Sequence, residues 1–441
     1  GENMELLRKN IHMIKNRCEA NVQMTLDDDF NVPDVKPDIA QIVRTQGNVI
    51  IKDYNVTGGK VVISGNLAFN MLYLSENHET PLHSIRGELH FEATANMDRM
   101  CAEDTLFIHA NIEDLSAGMI NSRKINLRSI ITFELLAEQI YDENAVTQAA
   151  PEEQLCVRQK EVELTELVFS KKDSLRIKDE IRLGAGKPNI EEIIYEEMMP
   201  GESKIRIQDE MLDISGEIHL CIMYLPQQES GVCHMEKTIS YHEQIPVNRI
   251  NEGMIPDVVI YPGTQNVSVH QDEDGEERMI EWEGTLELDI HIYGESKAEI
   301  MEDVYSVRRI VTPEYVPAML KHLRMKNVSK LRMSENLTMM QPQEEISQVL
   351  LPLGVVTIDD TTIVENGIEL EGALNVSALF ISAQEEQPFG VIQGAVPWRH
   401  RIEVQGIRKG DQYRIVPAVV QLDFVPINAS EIAVRAMVNF D

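Results

Sequence analysis

In the segment VVISGNLAFNMLYL (61–74) every second residue is apolar or glycine: Val61, Ile63, Gly65, Leu67, Phe69, Met71 and Tyr73. Seven positions at period two describe a long strand with one face buried. The row returns in LDISGEIHLCIMYL (212–225) as Leu212, Ile214, Gly216, Ile218, Leu220, Ile222 and Tyr224. It returns again in IELEGALNVSALFI (368–381) as Ile368, Leu370, Gly372, Leu374, Val376, Ala378 and Phe380. The offsets are 151 residues (61 to 212) and 156 residues (212 to 368), without gaps. Three copies of one pattern indicate three repeats of one fold. The matched glycines Gly65, Gly216 and Gly372 mark a bulge, or a place where another backbone crosses closely.

A second block precedes each strand at the same offsets. QMTLDDDFNVPDVKPDIAQIV (23–43) matches SLRIKDEIRLGAGKPNIEEII (174–194) and, more weakly, KLRMSENLTMMQPQEEISQVL (330–350). Lys36-Pro37 corresponds to Lys187-Pro188, and the third copy has Gln343-Glu344 there. Pro33 and Pro37 end an extended strand, because proline holds its predecessor extended and cannot donate to a ladder. Ile39, Ile42 and Val43, at spacing i, i+3, i+4, predict a helical turn or two begun by Pro37, and Pro188 begins its counterpart. Hairpins are predicted at Thr57-Gly58-Gly59-Lys60 and at Asn366-Gly367. Each copy closes on a further strand: INLRSIITFELLAE, IEWEGTLELDIHIYGE and EIAVRAMVNFD. The fold class is therefore mainly β: three tandem β-sandwich-like domains, each with a short helix at its opening corner. Their expected boundaries are 1–150, 151–318 and 319–441.

Composition narrows the partners. The chain carries 40 basic and 73 acidic residues, a net charge of −33. Such a surface disfavours nucleic acid and anionic membranes and favours basic partners. Residues 1–150 carry 13 basic and 22 acidic residues, 151–318 carry 16 and 36, and 319–441 carry 11 and 15. The middle repeat is thus the most acidic. Cys18, Cys101, Cys156, Cys221 and Cys233 are odd in number and contain no C-x-x-C pair, which fits a reducing compartment. No apolar run reaches membrane-spanning length, and no direct membrane insertion is expected.

Chemistry-bearing patterns are sparse. Asp27-Asp28-Asp29 reads as a solvated face, since the third copy has Ser334, Glu335 and Asn336 there. DEDGEERMIEWE (272–283) has acids at positions 1, 3, 5 and 12 of a calcium loop, but Glu277 where the loop needs glycine. Asp274-Gly275 reads more simply as a hairpin turn. The twelve histidines show no zinc spacing, and no phosphate loop, dinucleotide fingerprint or nucleophile elbow is found. No catalytic, cofactor or metal residue is assigned, and no cofactor is expected. PWRHRIEV (397–404) departs from the repeat symmetry, making Trp398, Arg399 and Arg401 interaction candidates, against the plainer reading of a strand with a basic outer face. Sheet edges in tandem β domains can also recruit other chains by strand addition.

The VPDVKPDI corner followed by ISGNLAFNMLYL resembles the SPOCS domain family, in three copies over nearly the whole chain. SPOCS modules occur in spore coat morphogenetic proteins of endospore-forming Firmicutes, including the SipL and SpoVID types. The resemblance implies a non-enzymatic adaptor, made in the mother-cell cytoplasm and placed on the forespore surface. There it would link the basement layer to coat proteins by protein–protein contacts, with self-association through sheet edges. Its implied partners are spore coat morphogenetic proteins, the basement-layer ATPase SpoIVA among them. In the SipL type a LysM module carries that ATPase contact, and none follows VRAMVNFD here. The alternative is a carbohydrate or peptidoglycan (cortex) binding module, which would need aromatic platforms; the chain has two tryptophans, Trp282 and Trp398.

Overall fold

A computed structural model of the chain describes residues 6–76, 81–149, 155–228, 231–308, 310–338, 346–382, 389–428 and 431–441. The first repeat contains strands Leu6–Asn31 (β1), Gln41–Thr57 (β2), Lys60–Leu74 (β3), Leu82–Asn96 (β4), Thr105–Asn121 (β5) and Lys124–Ala149 (β6). The second has Cys156–Arg182 (β7), Ile190–Gln208 (β8), Met211–Pro226 (β9), Cys233–Pro246 (β10), Ile255–Gln271 (β11) and Glu277–Tyr305 (β12). The third has Ser329–Thr338 (β13), Ile346–Val364 (β14), Gly367–Ser382 (β15), Phe389–Glu403 (β16), Pro417–Asn428 (β17) and Glu431–Phe440 (β18).

Every repeat is built the same way. A three-stranded meander (β2-β3-β4, β8-β9-β10, β14-β15-β16) packs on a sheet ordered β1-β6-β5, β7-β12-β11 or β13-β18-β17. All pairings are antiparallel. The period-two rows are the central strands β3, β9 and β15, and their apolar sides fill the cores. In the first core Ile63, Leu67, Met71 and Tyr73 of β3 meet Leu127, Ile131 and Phe133 of β6. Trp282 fills the second core together with Leu212 and Leu220, and Trp398 the third with Val438 and Phe440. The first two repeats belong to one compact unit, Gly1–Leu323, and the third forms another, Arg324–Asp441.

The predicted hairpins are present. Gly58 and Gly59 take φ of 59° and 76°, and Asn366 takes 54°, the left-handed geometry of tight hairpin turns. Gly275 at φ 78° closes the β11–β12 hairpin, where its amide donates to Asp272 O at 3.0 Å.

The repeated glycines answer to crowding. A Cβ on Gly65 would run into the Ile50 carbonyl oxygen and the Phe91 ring, and one on Gly372 into the Thr357 carbonyl and the Trp398 ring. Register slips beside them, at Ile51/Asp53 and Ile358/Asp360, turn those carbonyls inward. Gly216 differs, because a Cβ there would meet the Tyr241 hydroxyl at 2.6 Å rather than backbone.

The expected helix at each opening corner is not found: the described residues contain no helix. Lys36 N donates to Pro33 O and Lys187 N to Gly184 O, at 2.9 and 3.0 Å, so each corner is a tight turn. Ile39 N then donates to Ser122 O and Ala40 N to Leu74 O, which joins the chain to neighbouring strands at once. A bulge between Ile42 and Arg44, repeated between Ile193 and Tyr195, explains the misleading spacing. It shifts the alternation by one residue, so a strand imitates the i, i+3, i+4 pattern of a helix. Gln343 and Glu344 of the third copy lie outside the described residues.

Candidate interaction surfaces

The corner motif is held from behind by one arginine in each of the first two repeats. Arg123 donates to the carbonyls of Val32, Pro33 and Lys36 at 3.2, 2.9 and 2.6 Å. Arg278, its counterpart at an offset of 155 residues, donates to Gly184 O and Lys187 O at 2.8 Å each. A tyrosine completes the latch: Tyr73 OH donates to Pro37 O at 3.0 Å, and Tyr224 OH to Pro188 O at 3.3 Å. Burial pushes the Tyr73 hydroxyl up to about 12, so it stays a donor well into the alkaline range. The third repeat has Phe380 at the tyrosine position, Ser430 at the arginine position and no Lys-Pro. All parts of the latch have changed together there.

Lys36 and Lys187 then diverge. Lys187 Nζ turns back to His234 O at 2.9 Å within its own repeat. Lys36 instead reaches out of the first repeat to Glu192 of the second. Beside it Arg86 pairs with Glu196. A cleft of about 330 Å³ between them is lined by Pro33, Lys36, Ile85, Arg86, Glu192 and Ile193, among others.

These pairs belong to a long junction between the first and second repeats. At its centre Arg44 lies over the Tyr195 ring, 5.5 Å from the centroid, and 3.8 Å from Glu197. Tyr195 OH donates to Glu197 at 2.7 Å. Burial holds both the Tyr195 hydroxyl and the Glu197 carboxyl above their ordinary values, with Arg44 opposing in each case. Farther along, His291 Nε2 and Glu138 Oε2 lie 3.0 Å apart in a buried pair. Next to them Lys172 donates to Leu106 O and sits over the Phe107 ring, while His109 stacks on Tyr261 with centroids 4.3 Å apart. Burial lowers the Lys172 ammonium, against the pull of Asp289 and Glu138. At the far end Ile11, Met13, Leu164 and Ala298 close an apolar cluster.

The junction brings matching positions together. Arg44 and Tyr195 are equivalent at the offset of 151, as are Met13 and Leu164. Contact between like positions is the signature of an isologous interface, here between two copies within one chain. Lys36–Glu192 and Arg86–Glu196 have no mirrored pairs among the described residues, so the symmetry is approximate.

The remaining candidates sit on β16. Trp398 turns inward, 5% exposed, with its ring 5.0 Å from that of Phe440. Arg399 and Arg401 face solvent on the same strand, Arg399 paired with Glu371 at 3.1 Å and Arg401 donating to Glu365 O at 2.9 Å. Trp282 is fully buried too, so neither tryptophan forms an exposed aromatic platform. Among the described residues no three His, Cys, Asp or Glu side chains converge at metal-binding distance.

The SipL, SPOCS domain family model matches the chain at residues 38–120, 189–272 and 345–427, together more than half of it. The chain belongs to the SipL SPOCS-domain family. The matched segments begin at or near the opening corner and run through the meander into β5, β11 and β17. No curated protein and no solved structure matches the chain. SPOCS membership places it among sporulation-related proteins, in a family not known for enzymes.

The latch arginines escaped the sequence reading, because Arg123 lies far from the corner in the chain and only β-sheet register brings the two together. Extending the repeat comparison would have found them, since Arg123-Lys124-Ile125 aligns with Arg278-Met279-Ile280.

Proposed function

We propose that this SPOCS protein is a structural adaptor in endospore envelope assembly, working on the forespore surface through protein–protein contacts. The observation that carries this reading is the junction itself. One SPOCS repeat binds another here through paired charges, a buried aromatic contact and an apolar cluster. A fold that recognises a copy of itself inside one chain has the means to recognise related surfaces on other chains. The acidic middle repeat adds long-range attraction for basic partners, and Arg399 and Arg401, opposite Glu371 and Glu369, offer a separate face of mixed charge. On this reading the partners are coat morphogenetic proteins and the basement-layer ATPase.

Electron microscopy of sporulating cells lacking the gene tests it. Coat material detached or mislocalised around a normal cortex is the expected result. A normal, attached coat would overturn the adaptor role.

A further inference from the structure

The first two repeats pair because they bring opposite charges to their junction. The first supplies Lys36, Arg44 and Arg86, and the second Glu192, Glu196 and Glu197. Unlike faces of this kind attract each other, whereas either one set against its own copy would place like charges together. The third repeat carries neither set. Leu351 and Gln393 stand at the places of Arg44 and Arg86, and Gln348, Pro352 and Leu353 at those of Glu192, Glu196 and Glu197.

The outer face of the third meander continues the same difference. Register sets Val355, Asn375 and Ala395 in one row across β14, β15 and β16. Neither that row nor its neighbours through Ser377 and Ala373 contains a charged residue. The matching rows hold Arg86 and Glu88 in the first repeat, and Glu197, Glu217 and Glu236 in the second. Leu351 is buried, but beyond it the face lies open: Val355 is 52% exposed, and Asn375, Gln393 and Ala395 are exposed as well. At the rim the charges come in matched pairs, Arg399 opposite Glu371 and Arg401 opposite Glu369.

We infer that this open face of the third repeat is a self-pairing surface, on which two copies of the chain join face to face about a two-fold axis. A chain of net charge −33 repels its own copies over most of its surface. That repulsion is least at an uncharged face with a balanced rim, in the repeat whose 11 basic and 15 acidic residues leave a net of only −4. A two-fold axis sets such a face against itself, so freedom from charge is what the pairing requires, and Val355 and Ala395 give it apolar area. The inference goes beyond the adaptor role by naming a second copy as a partner, and it holds whether or not the chain is an adaptor.

Sedimentation velocity of the full chain over a range of concentrations tests it. A concentration-dependent dimer is expected, and added salt should strengthen it by screening the repulsion between two acidic chains. The double variants Val355→Glu, Ala395→Glu and Val355→Lys, Ala395→Lys should each weaken dimerisation at least tenfold, because each sets like charges face to face. An equimolar mixture of the two should dimerise again. A wild type that stays monomeric up to about 100 µM would overturn the inference, as would a dimer that both variants leave intact. Two monomeric variants that fail to pair when mixed would also overturn it, by setting the face against a different surface. Amide exchange of the wild type gives a readout that does not depend on how the variants fold: exchange around Val355, Asn375 and Ala395 should slow in the dimer, and unchanged exchange there counts against the face. None of these outcomes bears on coat attachment in cells, so this inference and the adaptor role fail separately.

Discussion

Single residues in this chain matter most where a repeated position is crowded by backbone. Gly65 and Gly372 each face a carbonyl that cannot move without breaking a bulge, whereas Gly216 faces the end of a tyrosine side chain. Gly65→Ala and Gly372→Ala should therefore each cost about 1–3 kcal/mol, the usual range for overpacking. Gly216→Ala should cost less, because the Tyr241 ring can shift. Urea denaturation of the three variants checks the order, and equal losses would contradict the distinction. A second residue-scale expectation concerns Glu197, whose carboxyl burial holds above its ordinary value. The folded protein then binds this proton before the unfolded chain does, so the group makes unfolding harder as pH falls from its raised value to the ordinary one. Above that window the ionised carboxylate is a cost, and below it the effect is constant. Urea titrations of wild type and Glu197→Gln between pH 7 and pH 4.5 should show wild type gaining stability relative to the variant as pH falls. A constant difference would mean that Glu197 does not titrate differently on folding.

At the scale of elements, the legible features were those a strand imposes on its own sequence. The alternation from Val61 to Tyr73 is visible because β3 buries one face along its whole length, and Gly58-Gly59 because its turn demands positive φ. The corner helix was misread because the bulge after Ile42 shifts the alternation there. The junction was not legible at all. Arg44 and Tyr195 occupy the same place in two repeats with different chemistry, so comparing the repeats does not reveal that the two positions touch. The corner latch gives an element-scale expectation. Arg123→Ala removes the donor to three carbonyls of the corner between β1 and β2, of which only that of Pro33 keeps another donor, the Lys36 amide. A net loss of about 1–3 kcal/mol is expected, with faster amide exchange around Ile39 and Ala40. Unchanged exchange there would mean that the turn holds itself.

Across the whole molecule, the repeats are not equivalent as folding units. The first two share one compact unit in which Lys36, Arg44, Arg86, Glu138 and Met13 all find partners in the second repeat. Coupling of this kind ties the stability of each to the other, because parting them would strand buried groups: a broken buried ion pair alone costs about 3–5 kcal/mol. Cleavage near residue 150 should therefore leave two fragments that migrate together in gel filtration. High salt should not part them, since buried pairs are screened far less than exposed ones. Cleavage at 314–319, where the chain forms no strand and is exposed, should instead yield a folded fragment spanning 324–441, whose own core is built around Trp398, Val438 and Phe440. Met13→Asp tests the coupling from within. It places a charge in the cluster of Ile11, Leu164 and Ala298, and the fragments cut near residue 150 should then separate at neutral pH. If they separate as readily in wild type, the junction does not hold the repeats together, and the argument that one SPOCS repeat binds another loses its support. If they hold in wild type and part in Met13→Asp, the same surface chemistry becomes the template for finding what this protein binds outside itself.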